Sequence, residues 1–264
     1  MAKVIQIGLG SGGMAVLDML LRFPGLDSLA LIEPDILETH NLERHLFTSQ
    51  AVGKPKLDTA LEWVRTRRKD IEVQGFPCWL EDANYRNDLE KVMDGCAAGI
   101  CAVDNDNAKY LWCSMMRKHK IPWTLGEVLS GGIGGFVHVV SPDGPCYGCI
   151  SSYLKRENTA SANKKPDYSN PEGMVKEARI PASFAAINTI ASLHALGTLE
   201  LLQGRPDYGS FLFPMEKIDG VFREKWQATR LGVAKNPGCL FCGIPPGDIP
   251  DADAQLQRKL AELS

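Results

Sequence analysis

Lys3-Val-Ile-Gln-Ile-Gly-Leu-Gly-Ser-Gly-Gly13 is the stretch that decides the fold. Val4, Ile5 and Ile7 are β-branched and apolar enough for a buried parallel strand. Gly8, Gly10 and Gly13 follow at G-x-G-x-x-G spacing, and Met14 to Leu21 open a helix. Glycines there let the backbone approach an anion, and the free N–H groups and positive end of the helix face it. A tight strand-to-helix turn that holds nothing has the same pattern, so the motif needs company.

Outward from that turn, strand and helix signals alternate to about residue 126, the pattern of a Rossmann-like, doubly wound and mainly parallel α/β sheet. Leu29 to Ile32 read as a second buried strand ending at Glu33, about twenty residues beyond Gly13, the spacing at which an acid meets a ribose hydroxyl. Pro55 stands where a helix begins, with Leu57, Ala60, Leu61 and Val64 on one face. The basic run Arg65 to Lys69 closes that helix as a solvated end whose cations suit the dipole. Ile71 to Phe76 are strand-like, and Leu89, Val92, Met93 and Cys96 repeat the helical spacing. Ala98 to Val103 form the next strand, with Asp104 at its carboxyl end, where ligands bind in open α/β sheets.

Composition excludes several classes. With 264 residues the chain can bury a sizeable core, and a net charge of −3 argues against a broad nucleic-acid or membrane surface. No apolar run reaching about 18 residues is evident and the N-terminus enters a strand directly, so the expected location is cytoplasmic. No fixed-period repeat or long low-complexity tract is present.

Two further stretches argue against a dehydrogenase. Glu33-Pro-Asp35, Asn41-Leu-Glu-Arg44-His45 and Gly53-Lys-Pro-Lys56 bring an Asn, an Arg and a Lys to the same cradle, more positive charge than a dinucleotide pyrophosphate needs. A triphosphate of about four negative charges suits a bidentate Arg, a point-charge Lys and a carboxylate-held metal ion, although Arg44 and Lys56 as ordinary surface cations remain the alternative. The second stretch is a pair of knuckles, Cys146-Tyr-Gly-Cys149 and Cys239-Leu-Phe-Cys242. They read as a four-cysteine structural zinc site stapling distant segments, with a redox dithiol as the competing reading. Cys78, Cys96, Cys101 and Cys113 fall in strand or helix patterns and are expected in the core.

The ordered set Gly8-x-Gly10-x-x-Gly13, Glu33-x-Asp35, Asn41-Leu-x-Arg44, Gly53-x-x-Lys56, Val103-Asp104-Asn105, Cys146-x-x-Cys149 and Cys239-x-x-Cys242 resembles the ThiF/MoeB family of adenylyltransferases, bacterial relatives of ubiquitin-activating enzymes. The resemblance spans residues 3 to about 242. It implies activation of the C-terminal glycine carboxylate of a ubiquitin-like or sulfur-carrier protein as an acyl adenylate, with release of pyrophosphate. By the same resemblance Asp104 would hold Mg2+, Arg44 and Lys56 would grip the ATP phosphates with help from Asn41, Glu33 would bind the ribose, and Asp35 and Asn105 would lie at the nucleotide. Two residues depart from the pattern: the ribose acid is usually Asp, and His45 stands where the family often has Gln. Relatives also commonly carry a helix before the first strand whose arginine crosses a dimer interface to the partner's ATP. Only Met1 and Ala2 stand there, so that arginine is expected from elsewhere or from another protein in a homodimer or partner-completed dimer, unless the site works without it.

The expected layout is one domain over 1–250, with a nucleotide-binding half at 1–126, a mixed-sheet, carrier-binding half with the zinc site at 127–250, and a tail at 251–264 that is a short helix or unstructured. Residues 151 to 180 are expected to be a crossover loop covering the carrier's tail, without the cysteine that bears a thioester in some relatives. Pro181 begins an apolar helix that ends near Gly204 and holds His194 in the core or at an interface; Phe211 to Phe213 and Val221 to Trp226 are read as strands. Two other functions stay open: adenylation of a peptide or a modified tRNA nucleoside, and a scaffold that binds carrier without turnover.

Overall fold

A computed structural model of the chain describes residues 1–155 and 181–243. The elements run β1 (Ala2–Ile7), α1 (Ser11–Leu20), β2 (Leu26–Ile32), α2 (Lys56–Arg67), β3 (Glu72–Phe76), α3 (Arg86–Met93), β4 (Ala98–Cys101) and α4 (Asp106–Lys118). They continue with β5 (Trp123–Val128), β6 (Gly134–Val140), α5 (Tyr147–Tyr153), α6 (Phe184–Leu202), β7 (Gly209–Pro214) and β8 (Thr229–Leu231). Most of the expected crossover loop, 156–180, and the tail 251–264 lie outside the described residues.

The eight strands form one sheet in the order β3-β2-β1-β4-β5-β6-β7-β8. From β3 to β5 the neighbours are parallel, and β5–β6, β6–β7 and β7–β8 are antiparallel. This is the expected doubly wound α/β sheet with a mixed second half. The chain leaves β1 toward β2 and leaves β4 toward β5, so winding reverses between these two neighbours and a crevice opens outside their carboxyl ends.

Side-chain alternation builds a core on each face of the sheet. Val4 faces one way with Leu17, Leu20, Val64 and Ala191, contributed by α1, α2 and α6. Ile5 and Ile7 face the other with Leu89, Trp112, Met116 and Tyr147, contributed by α3, α4 and α5. Each fully buried large apolar side chain is worth about 1.5–3 kcal/mol of transfer free energy, so both layers hold the crevice rigid.

Several expectations shift at their edges. The helix after the glycine turn starts at Ser11 rather than Met14, and the one after Pro181 starts at Phe184, where the Ser183 hydroxyl accepts the Ala186 N–H at 3.2 Å. Gly204, at φ +72°, follows its C-cap as expected. Cys96 lies beyond the end of α3. Helix α6, with 19 residues, is long and apolar enough to cross a membrane by length and composition, a feature the reading of apolar runs overlooked; half of it is buried inside the fold. Val221 to Trp226 is not a strand. Gly220 at φ +77° and the Ile218–Phe222 bridge close a tight turn there, Trp226 is left-handed at φ +63°, and extension resumes only at Thr229. The basic run is not simply solvated either. Arg67 pairs with Asp18 at 2.9 Å and lies over the Trp63 ring, while Arg68 donates to the carbonyls of Leu21, Phe23 and Leu26 along the connection from α1 to β2.

Candidate functional site

The glycine turn packs β1 against its neighbour. Gly8 sits at φ +90°, and a Cβ on it would lie 2.5 Å from the Ala102 carbonyl oxygen; one on Gly13 would lie 2.2 Å from the Gly8 carbonyl oxygen. At Gly10 that position is open, with nothing within 4 Å, and α1 begins there without a side-chain cap. Two glycines are therefore demanded by backbone contact, and the third leaves the helix N-terminus clear for an anion. Gln6, fully buried, braces the turn from below, its Nε2 donating to the carbonyls of Gly8 at 3.0 Å and Gly13 at 2.9 Å. The sequence reading missed this residue, whose signal is an amide inside an apolar strand two positions before the first glycine.

Glu33 closes the next wall. It is buried, one carboxylate oxygen accepts the Leu9 N–H at 2.6 Å and the other the Asp35 N–H at 2.9 Å. It thereby ties the glycine turn to the loop after β2, and each oxygen keeps a lone pair for a further donor. Burial holds its carboxyl above the usual value, while Lys56 and the two N–H groups pull it back. Lys56, buried at the start of α2, reaches Asp35 at 3.2 Å. Asn41 ends a short 3-10 turn, where its Oδ1 accepts the Glu38 N–H at 3.0 Å, and half-buried Arg44 follows.

His45 anchors this loop. Its Nδ1 accepts the Phe47 N–H at 3.1 Å, so the proton sits on Nε2, which donates to the Leu9 carbonyl at 3.0 Å. Burial, with help from Lys56 and Arg44, pushes the ring down to about 4, neutral at physiological pH. Both cations thus act on a ring bonded to the glycine turn, which places Arg44, Lys56 and the turn in one neighbourhood.

The opposite wall comes from β4. Ala102 donates its N–H to Ile7 at 2.9 Å, and Asp104 stands exposed two residues on. Asn105 caps α4, its Oδ1 accepting the Ala108 N–H at 3.2 Å. Behind Asp104 lies a charged network that the sequence reading also missed. Lys109, 6% exposed, pairs with Asp106 at 3.1 Å and with Glu127 of β5 at 2.7 Å; Glu127 meets His138 Nε2 at 3.1 Å, and His138 Nδ1 meets Ser210 at 2.8 Å. Burial alone would lower the Lys109 ammonium; Glu127, Tyr147 and Asp106 outweigh it and hold the group above its usual value. A lysine three residues into a helix carries no sequence signal of such burial.

The four knuckle cysteines converge elsewhere in the second half. Their sulfurs all lie within 4.8 Å of one another, with Cys146–Cys239 at 3.5 Å, Cys149–Cys242 at 3.4 Å and Cys146–Cys149 at 3.9 Å. A tetrahedral ion at about 2.3 Å from each thiolate separates its ligands by about 3.8 Å, so the set suits one zinc-like cation. All four are buried and none is in a disulfide. The neighbouring Cys146 thiol and burial push Cys239 up to about 12, so without a cation Cys239 keeps its proton. Gly148 is required, since a Cβ there would lie 2.6 Å from the Phe241 ring. Cys78, Cys96, Cys101 and Cys113 are buried core residues, as expected.

Comparison with known proteins identifies the family and the fold. The ThiF family model matches residues 1–241. The SAMP-activating enzyme E1 of Haloferax volcanii is 25% identical over 246 residues, covering 92% of this chain and 80% of that protein. The sulfur carrier protein adenylyltransferase of Thermus thermophilus is 27% identical over 256 residues, covering 93% and 83%. Among solved structures, E. coli MccB with ATP shares the fold at a TM-score of 0.68 and 18% identity, covering 92% of this chain and 67% of that one.

Proposed function

The chain belongs to the ThiF family, and on that premise we propose that it adenylates the C-terminal glycine carboxylate of a ubiquitin-like or sulfur-carrier protein, using Mg-ATP and releasing pyrophosphate. One observation carries this reading: the open N-terminus at Gly10, the Lys56–Asp35 pair and the Asp104 carboxylate follow the carboxyl ends of the neighbouring parallel strands β1, β2 and β4.

Attack of a carboxylate oxygen on the α-phosphorus forms one P–O bond and breaks another, and it needs no protein nucleophile. It needs alignment and neutralised charge. The glycine turn seats the phosphates on the N–H groups of α1, with Arg44 and Lys56 offsetting their charge and Asn41 steadying the loop. Glu33 accepts the ribose hydroxyls with its remaining lone pairs, and Asp35 keeps Lys56 aimed. Asp104, exposed at the mouth beside Asn105, would hold Mg2+, which supplies further charge neutralisation to the phosphates. Cys146, Cys149, Cys239 and Cys242 would hold a structural Zn2+, four protein ligands leaving no open position. We propose a reducing, cytoplasmic setting and a dimer formed with a second copy or another subunit.

The relatives named for sulfur-carrier adenylation and SAMP activation support a protein carrier over other substrates. Exchange of labelled pyrophosphate into ATP tests this directly. A small ubiquitin-fold protein ending in Gly-Gly is expected to support exchange, and the same protein lacking its last glycine is not. Exchange driven by a short peptide, with none from the carrier, would reassign the substrate.

A further inference from the structure

The two knuckles do more than close on each other; they are packed onto the helix that starts beside Asp104. Tyr147, between Cys146 and Cys149, is fully buried, and its hydroxyl donates to Asp106 Oδ1 at 2.9 Å. Its ring meets Tyr110 edge-on at 4.9 Å, and Phe241 of the second knuckle stacks on Tyr110 at 4.6 Å. The Tyr147 N–H donates to Cys113 Sγ at 3.3 Å. Tyr110 and Cys113 both belong to α4, so each knuckle grips that helix.

Asp106 is where the grip reaches the crevice. It is the first residue of α4, two positions after Asp104, and the same Oδ1 that accepts the Tyr147 hydroxyl also meets Lys109 at 3.1 Å. Lys109 is fixed in turn by Glu127 at the end of β5. A carboxylate on a first helical turn is free to swing when solvated, but here it is held by a phenol, an ammonium and the strand behind them.

We propose that Tyr147 is a positioning residue for nucleotide-bound magnesium: through Asp106 it couples the four-cysteine staple to the loop that carries Asp104. The inference rests on the assignment of Asp104 as the magnesium-binding acid. Removing the hydroxyl releases the Asp106 side chain, lets the first turn of α4 and the Asp104 carboxylate move, and weakens the magnesium-dependent part of ATP binding while leaving the magnesium-independent part alone.

The test is calorimetric titration of full-length protein with ATP over a series of magnesium concentrations, with zinc content and melting measured in parallel. Tyr147→Phe is expected to keep its zinc and its melting temperature within a few degrees, and to need about five- to tenfold more magnesium for half-maximal ATP binding. Asp106→Ala should give a similar rise, and the double variant should be no worse than the worse single one, since both changes break one link. Unchanged magnesium dependence in Tyr147→Phe, or fully additive effects, would overturn the proposal. Should Tyr147→Phe fail to fold, Asp106→Ala decides alone, and normal magnesium dependence in it refutes the link. Unmodified protein that binds ATP equally with and without magnesium would remove the Asp104 assignment, and this inference with it.

Discussion

Neutral His45 makes the loop after β2 sensitive to acid. The ring is pushed from its ordinary value of 6.5 to about 4 by burial and by Lys56 and Arg44. Unfolded chain therefore takes up a proton between those values while folded chain does not, so stability is full above pH 6.5 and drains as pH falls toward 4. His194, also held at about 4 by burial, adds a drain of the same sign, and Glu33, held above its usual value, opposes it. His45→Gln offers the same donor to Leu9 and acceptor to Phe47 without a titrating ring. It is expected to bind ATP normally and to show a flatter decline in melting temperature from pH 6.5 to 4, read by calorimetry at several pH values. Gly13→Ala makes the opposite case, because its Cβ would sit 2.2 Å from the Gly8 carbonyl oxygen. It should melt lower and lose ATP binding at least tenfold, and an unperturbed variant would mean that the turn is not the anion seat. The three glycines were legible in the sequence because only their spacing had to be read. Gln6 was not, since its role depends on two carbonyls that the fold brings above it.

Among the elements, the connection from α1 to β2 is tied down by the residue that ends α2. Arg68, whose side chain is 16% exposed, donates to the carbonyls of Leu21, Phe23 and Leu26 as well as pairing with Asp70. Arg68→Ala removes a donor from each of these carbonyls, of which Phe23 keeps only the Leu26 N–H, and is expected to cost about 1–3 kcal/mol, measured by urea unfolding. Loss of less than about 0.5 kcal/mol would return Arg68 to the solvated surface. The sequence could announce a helix end there but not whose carbonyls the guanidinium would reach. The same limit applied at Val221 to Trp226, where apolar residues suggested extension and a left-handed Trp226 ended it. The meeting of the two knuckles was legible because two short spacers with four sulfurs suit one shared cation, and the four sulfurs do converge within 4.8 Å. Purified protein is expected to carry about one zinc per chain, and Cys146→Ser or Cys239→Ser to lower the melting temperature. A zinc-free, fully folded preparation would contradict the structural staple.

For the whole molecule, the reversal of winding between β1 and β4 puts every residue named for the nucleotide at one end of the sheet. Strand and helix periodicity conveyed that topology from Lys3 to about residue 126, whereas the Lys109–Glu127–His138 network, joining α4 to β5 and β6, arises only when distant elements meet. Among the described residues, the cysteines outside the knuckles are buried, with burial pushing Cys101 up to about 12 and Cys78 and Cys96 to about 11. Those three offer no thiolate, Cys113 is buried against the knuckle, and the sequence from 151 to 180 contains no cysteine. The carrier is therefore expected to leave as the acyl adenylate, and a non-reducing gel of enzyme, ATP and carrier should show no thiol-sensitive band at the summed mass. The central claim is that this crevice is a magnesium-ATP site and not a dinucleotide site. Titration of the full chain with Mg-ATP and with NAD, repeated on Lys56→Ala, tests it most directly. Mg-ATP is expected to bind, at least tenfold more weakly to the variant, and NAD not at all; tight NAD binding, or ATP affinity indifferent to Lys56, would contradict a magnesium-ATP site.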